Sequence, residues 1–203
     1  MKKYYILISL FLLGLIISAI NPHDYFTWIL EVFPAIIGFA VLLVTFKKFQ
    51  FSYLTYVMIL FHCYVLFIGG HYTYAEVPLF DWIREVFHQS RNNYDKVGHF
   101  TQGFVPATIT RELLIRKDVV KKGGWLSFLT VCVCLSISAF YEFLEWFVAI
   151  VSGQNSDSFL GTQGYVWDTQ SDMLYAFMGA LSMIILFSKI QDRQIEKVTK
   201  INS

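Results

Sequence analysis

Asp95 and His99 stand four residues apart, Glu142 and Glu145 three apart, and Asp168 and Asp172 four apart. On a helix each pair shares one face, so three helices can aim paired ligands at one point. Imidazole together with carboxylates suits a divalent ion such as zinc, iron or manganese. Such an ion lowers the pKa of a bound water, which a nearby carboxylate can then deprotonate as general base. The candidate metal ligands are therefore His99, Asp95, Asp168 and Asp172, and the candidate catalytic bases are Glu142 and Glu145. His71, directly after Gly69 and Gly70, and Gln102 and Tyr141, each within a turn of a candidate residue, are supporting candidates, and Glu31 could join the same group.

The same residues admit other partners. Protons could occupy some of the carboxyl groups, as in proton-carrying membrane transporters. A cationic or hydroxyl-rich envelope ligand could sit among the acids. Purely structural polar contacts between helices are the third alternative, and Gln102, Tyr141 and Ser138 suit that role. The metal reading gains from a scarcity of positive charge, since Lys96 is the basic residue nearest in sequence and Arg111 is expected to snorkel to the cytoplasmic surface.

The elements that must position these groups are apolar runs at about 4 to 20, 28 to 46, 51 to 70, 96 to 115, 125 to 151 and 171 to 188. About 20 residues are what a helix needs to cross about 30 Å of hydrocarbon. The expected fold is all-α, an integral membrane bundle of six transmembrane helices forming a single domain over 1–203, with N- and C-terminus both cytoplasmic. The run at 96 to 115 is diluted by polar residues, but charge argues that it crosses. With six spans, Lys2, Lys3, Lys47, Lys48, Arg111, Arg116, Lys117, Lys121, Lys122, Lys189, Arg193, Lys197 and Lys200 fall inside, against Arg84, Arg91 and Lys96 outside. That is the positive-inside distribution.

In this topology every candidate faces outward. Glu142 and Glu145 lie roughly 9 to 14 Å from the outer end of their helix at about 1.5 Å per residue. An ionised carboxylate at hydrocarbon depth costs about 2.5 to 3.5 kcal/mol on insertion scales, so these acids need partners. The stretch around Phe80, Ile83 and Phe87 repeats at helical spacing and fits a short helix in the interface or against the bundle. The loop at 152 to 170, with Gly153, Gly161 and Gly164, allows tight turns, and a lid role for it is left open.

Composition agrees with lipid as the solvent, since 56% of residues are apolar and 15% charged. A net charge of +1 offers nothing for nucleic acid. Cys63, Cys132 and Cys134 lie in apolar runs without zinc or disulfide spacing and read as small hydrophobes. The N-terminal apolar run lacks the small residues of a cleavage site and reads as an uncleaved anchor. No phosphate loop, nucleophile elbow or HExxH motif is present.

Four stretches carry a resemblance: GGHYTYAEVPL at 70 to 80, RNNYDKVGHFTQGFVPA at 91 to 107, SAFYEFLEW at 138 to 146 and FLGTQGYVWDTQSDM at 159 to 173. They resemble the YjdF-like bacterial inner-membrane family, a domain of unknown function, over nearly the whole chain. The resemblance implies six-helix inner-membrane architecture without an assigned activity. The family pattern places an acid after GTQG where this chain has Tyr165, which shifts weight to Asp168 and Asp172. More distantly, the order of Asp95-Lys96, His99-Phe100, an acidic helix and an aspartate before a small-residue helix is similar to VanZ-like envelope proteins. The expected function is thus a multi-pass inner-membrane protein with a divalent-metal site, hydrolytic on a lipid or envelope-derived small molecule. The alternatives are a proton-coupled transporter or ligand binder, or a structural network.

Overall fold

The computed structural model describes residues 2–152, 163 and 165–202, and these are helical with no strand among them. The helices are α1 (Lys2–Ser18), α2 (Tyr25–Thr45), α3 (Tyr53–Tyr72), α4 (Pro78–Val86), α5 (Tyr94–Arg116), α6 (Gly124–Ser152), α7 (Asp168–Ser182) and α8 (Ser188–Asn202). A 3-10 turn, Tyr74–Glu76, precedes α4, and a π-helical turn, Met183–Phe187, joins α7 to α8. Gly153, Gly161 and Gly164 lie outside the described residues.

Local chemistry explains the helix starts. Asp24 accepts the Thr27 N–H at 2.7 Å ahead of α2, and Ser52 caps α3 by accepting from Thr55 N. Each supplies an acceptor for an N–H that the first helical turn leaves unpaired. Pro78 opens α4, where a missing N–H costs nothing.

Among the described residues four helical stretches are long and apolar enough to cross a membrane: Tyr25–Thr45, Tyr53–Tyr72, Gly124–Val151 and Asp168–Thr199. Their outer faces carry bare hydrophobic side chains such as Phe33, Val44, Phe143, Phe147 and Leu186, which fits contact with lipid. The last stretch runs well past the apolar run at 171 to 188, because the π turn continues the helix into α8. That extension corrects one expectation. Arg111 does not snorkel to the cytoplasmic surface; it is buried, donates to Gln191 Oε1 at 3.0 Å and pairs with Asp192 at 2.8 Å.

At the centre stands α5, which packs on α3, α6 and α7, most extensively on α7. Asp95, His99, Gly103, Ala107 and Arg111 follow one another at four-residue steps on its surface, and Asp168, Asp172, Ala176 and Ala180 do the same on α7. The small residues let the two helices touch. A Cβ on Gly103 would run into the Ala176 backbone, and one on Gly179 into the Phe100 backbone. Close approach of this kind drives helix association where hydrophobic burial cannot. The same stripes then carry their acids to one end of the contact.

Two further clusters brace that end. Phe11, Val32, Ala35, Cys63, Leu66 and Phe67 join α1, α2 and α3. Val65, Tyr74, Val77 and Tyr94 tie the loop before α5 to α3, with Phe80 of α4 packed on them. Of the residues expected on one face of α4, Phe80 packs on the bundle and Phe87 is exposed, as are Leu79, Trp82 and Val86. All three cysteines are free thiols.

Candidate functional site

The stripes of α5 and α7 bring Asp95, His99, Asp168 and Asp172 together, all buried. The aspartates divide their oxygens between two kinds of partner. On one side are cations: Asp95 Oδ2 faces Arg91 at 3.3 Å and Lys96 at 3.2 Å, Asp168 Oδ1 faces Arg91 at 2.6 Å and Lys96 at 3.0 Å, and Asp172 Oδ1 faces Lys96 at 2.5 Å. On the other side is the imidazole, whose Nε2 lies 3.1 Å from Asp95 Oδ1 and 3.7 Å from Asp172 Oδ2. The ring's Nδ1 lies 3.0 Å from Gln102 Oε1 and 3.8 Å from Glu142 Oε1.

Arg91 and Lys96 overturn the expectation that no basic group is close enough to offset the acids. Their role is not visible in spacing along the chain. Arg91 lies in the turn before α5, and both cations reach α7 across more than 70 residues of sequence. Tyr165 lies over both, with its ring centroid 5.6 Å from Arg91 Cζ and 5.8 Å from Lys96 Nζ. Position 165 thus faces the cation pair, where a carboxylate would also be complementary. A π face is attracted to the same charge more weakly.

Asn92 fixes the turn that presents Arg91. Its side chain donates to Val77 O and Asp81 Oδ1, both at 3.1 Å, and accepts the Tyr94 N–H at 3.1 Å, while Gln163 bonds its backbone N–H at 3.0 Å and carbonyl at 2.8 Å. An Asx side chain that accepts a backbone N–H two residues on is a turn former and helix starter. Sequence reasoning quoted this stretch only within the family resemblance at 91 to 107 and missed the function of Asn92, whose signal was the Asn-Asn pair ahead of an apolar-periodic run.

Deeper than the ion pairs is a cavity of about 170 Å³. Asp95, His99 and Gln102 of α5 line it, with Tyr141 and Glu145 of α6, Glu31 of α2, His62 of α3 and Tyr74 of the 3-10 turn. Tyr74 is held there because its ring lies against Gly98, where a Cβ would come within 2.6 Å. Glu31 and Glu145 are both buried. Glu142 is not among the cavity residues; it stands behind His99 on the Nδ1 side, and no hydrogen bond reaches its Oε1 among the described residues.

The remaining candidates separate. Tyr141 belongs to the cavity, its ring 6.3 Å from that of His99. His71 lies elsewhere: its Nδ1 is 3.0 Å from Ser18 O, so it links α3 to α1. Ser138 is buried, but its hydroxyl finds no partner among the described residues, so it does not serve as polar contact. Asp168 is held by Arg91 and Lys96 and is not among the ligand atoms that converge. Those belong to Asp95, His99 and Asp172, one atom from each, all within 4.8 Å of one another.

A family model matches residues 3–193 of the chain. The chain belongs to the family described as "Predicted membrane protein (DUF2238)". It is 46% identical over 183 residues to "Inner membrane protein YjdF" of Escherichia coli (strain K12), which covers 90% of this chain and 88% of that relative. No solved structure matches. With its four apolar helices, the chain is an inner-membrane protein, and the DUF2238 match spans every element that builds the site.

Proposed function

We propose that this DUF2238 protein is a six-span inner-membrane protein with both termini cytoplasmic. Its outward-facing site binds one divalent cation through Asp95, His99 and Asp172 and hydrolyses a lipid or envelope-derived small molecule. The observation that carries this reading is the convergence of Asp95 Oδ1 and Asp172 Oδ2 on His99 Nε2 at 3.1 and 3.7 Å. Neighbouring ligand atoms of a tetrahedral zinc ion stand about 3.3 Å apart, given bonds of about 2.0 to 2.2 Å. Gln102 Oε1, 3.0 Å from Nδ1, supplies the outer hydrogen bond that orients most metal-binding histidines.

The roles of the acids then divide. A bound cation would polarise the substrate or lower the pKa of a water. Glu145, which lines the cavity with Asp95 and His99, is placed to act as general base. Glu142 is placed to orient His99 from behind. Arg91 and Lys96 hold Asp95 Oδ2 and Asp168 Oδ1, and Lys96 also holds Asp172 Oδ1, leaving the other oxygens of Asp95 and Asp172 to the cation.

Metal analysis of the protein purified in detergent tests this. The expected result is one zinc, iron or manganese ion per chain, with at least about tenfold weaker binding in Asp172→Asn and His99→Ala. Absence of stoichiometric metal, with a melting temperature insensitive to chelator, would sink the metal reading. The cluster would then be an ion-pair network centred on Lys96 and the cavity a site for protons or an organic ligand.

A further inference from the structure

Beside the polar cavity lies a second cavity, of about 270 Å³, whose lining is almost wholly apolar side chains of α1, α2, α3 and α5. The two share Pro34, His62, Leu66 and Pro106. The two cavities therefore adjoin, and their lining changes from hydrocarbon-like to acidic at His62. Pro34 and Pro106 interrupt α2 and α5 there, and neither can donate to the carbonyl four residues before it.

We propose that this space holds one hydrocarbon chain of an amphiphile, whose hydrogen-bond-donating head of hydroxyl or amine groups lies in the cavity of Glu31, Asp95 and Glu145. This names the substrate class of the site proposed above and rests on that cavity being the place where ligand binds. Chain length supports it. The apolar wall runs from Pro34 to Phe46 on α2, roughly 18 Å at 1.5 Å per residue. One lipid leaflet contributes about half of a hydrocarbon core about 30 Å thick, so the groove has the length of a single acyl chain.

Aromatic rings stand at the far end. Tyr4 meets Phe46 at 5.3 Å and Tyr56 at 5.6 Å, and Phe46 meets Tyr56 at 6.0 Å between centroids. Rings packed at that end would limit the length of chain the groove admits.

Head chemistry follows from the lining. Thr101 Oγ1 lies 2.9 Å from Gly98 O and 2.9 Å from His62 Nδ1; with its proton given to the carbonyl, it accepts from His62 Nδ1. That leaves Nε2 of a neutral His62 as an acceptor. Glu31, Glu145 and Gln102 Oε1 add acceptors outside the proposed cation's ligand set, and Arg91 and Lys96 do not line the cavity. Donor-rich heads are satisfied there, and phosphate or carboxylate heads meet the carboxylates of Glu31 and Glu145.

Photo-crosslinking tests the proposal, using four probes that share a palmitoyl-length diazirine chain and carry glycerol, amine, carboxylate or phosphate heads. Gly38 lines the groove, and a Cβ there meets nothing within 4 Å. Gly38→Phe therefore fills the groove, and Gly38→Ala is the folding control. The glycerol and amine probes should label α2 beyond Pro34 about tenfold more than the other two, an affinity gap of about 1.4 kcal/mol. Gly38→Phe should abolish that labelling at unchanged metal content, and Phe46→Ala should admit longer chains.

Equal labelling by all four heads, or labelling that survives Gly38→Phe, overturns the proposal. A preference for phosphate overturns the assignment of the head. Head-selective labelling of a protein that binds no metal supports the amphiphile and ends the metal reading. Stoichiometric metal with unselective labelling does the reverse.

Discussion

Two buried carboxylate centres occupy opposite ends of α5, and they are built on opposite principles. Glu112 is fully buried, and each of its oxygens is taken: Oε1 accepts from Ser52 N at 2.7 Å and Arg116 at 2.9 Å, Oε2 from Ser52 Oγ at 2.8 Å and Thr55 Oγ1 at 2.6 Å. At the other end Glu31, Asp95 and Glu145 border open space, and Glu142 Oε1 has no hydrogen bond among the described residues. Burial alone does not mark a functional acid, since Glu112 is the more buried. What differs is the surroundings: donors close in on Glu112, whereas Glu31, Asp95 and Glu145 line a cavity. The first centre joins α3 to α5, and the second is available to a ligand.

The contrast breaks most directly by removing each acid in turn. Glu112→Ala strands Arg116 and three polar groups without their acceptor, and should cost about 3 to 5 kcal/mol, as loss of one member of a buried pair does. Glu145→Leu should be neutral or stabilising, because it removes a buried charge near others of the same sign. Thermal unfolding in detergent compares them, and a larger loss from Glu145→Leu would reverse the assignment.

Gly103→Leu sharpens the comparison at the shared helix. Overpacking costs about 1 to 3 kcal/mol, and here it should also pry the aspartates of α7 from His99. Metal binding should fall with the melting temperature while Glu112 keeps its partners. Retained metal binding would show that the α5–α7 contact does not set the ligand geometry.

The smallest effect belongs to Asp24, outside both centres. The Thr27 N–H holds its carboxyl below the ordinary value of 3.8. A lowered folded-state pKa contributes stability that is present above the unfolded value and fades as pH falls through the folded one. Asp24→Asn should therefore change the melting temperature little near neutral pH and flatten its decline below about pH 4, with under about 1 kcal/mol at stake because the group is solvent-screened. An equal effect at all pH values would assign the cap to geometry alone.

The acid pairs were legible because helical spacing is local: Asp95 with His99 and Asp168 with Asp172 need only a period near 3.6 residues. What the pairs face was not legible. The link from Lys96 to Asp172 spans 76 residues, and nothing in composition places Arg91 against α7. Arg111 was misjudged for a related reason. Snorkelling presumes that the helix ends at the bilayer edge, whereas α8 continues and returns Gln191 and Asp192 to it. Glu31 could be grouped with the site by depth, yet its contact with the His99 cavity depends on how α2 packs on α3.

One property of α5 bears on how the protein is made. This helix is absent from the four stretches apolar enough to cross a bilayer unaided, yet it occupies the middle of the bundle. Its solvent is therefore protein, with α3 on one flank and α7 on another. Because α7 follows it in the chain, Arg91 and Lys96 gain Asp168 and Asp172 as partners only once α7 has packed on α5. The ion pairs of the site are thus a product of tertiary assembly and absent from α5 alone.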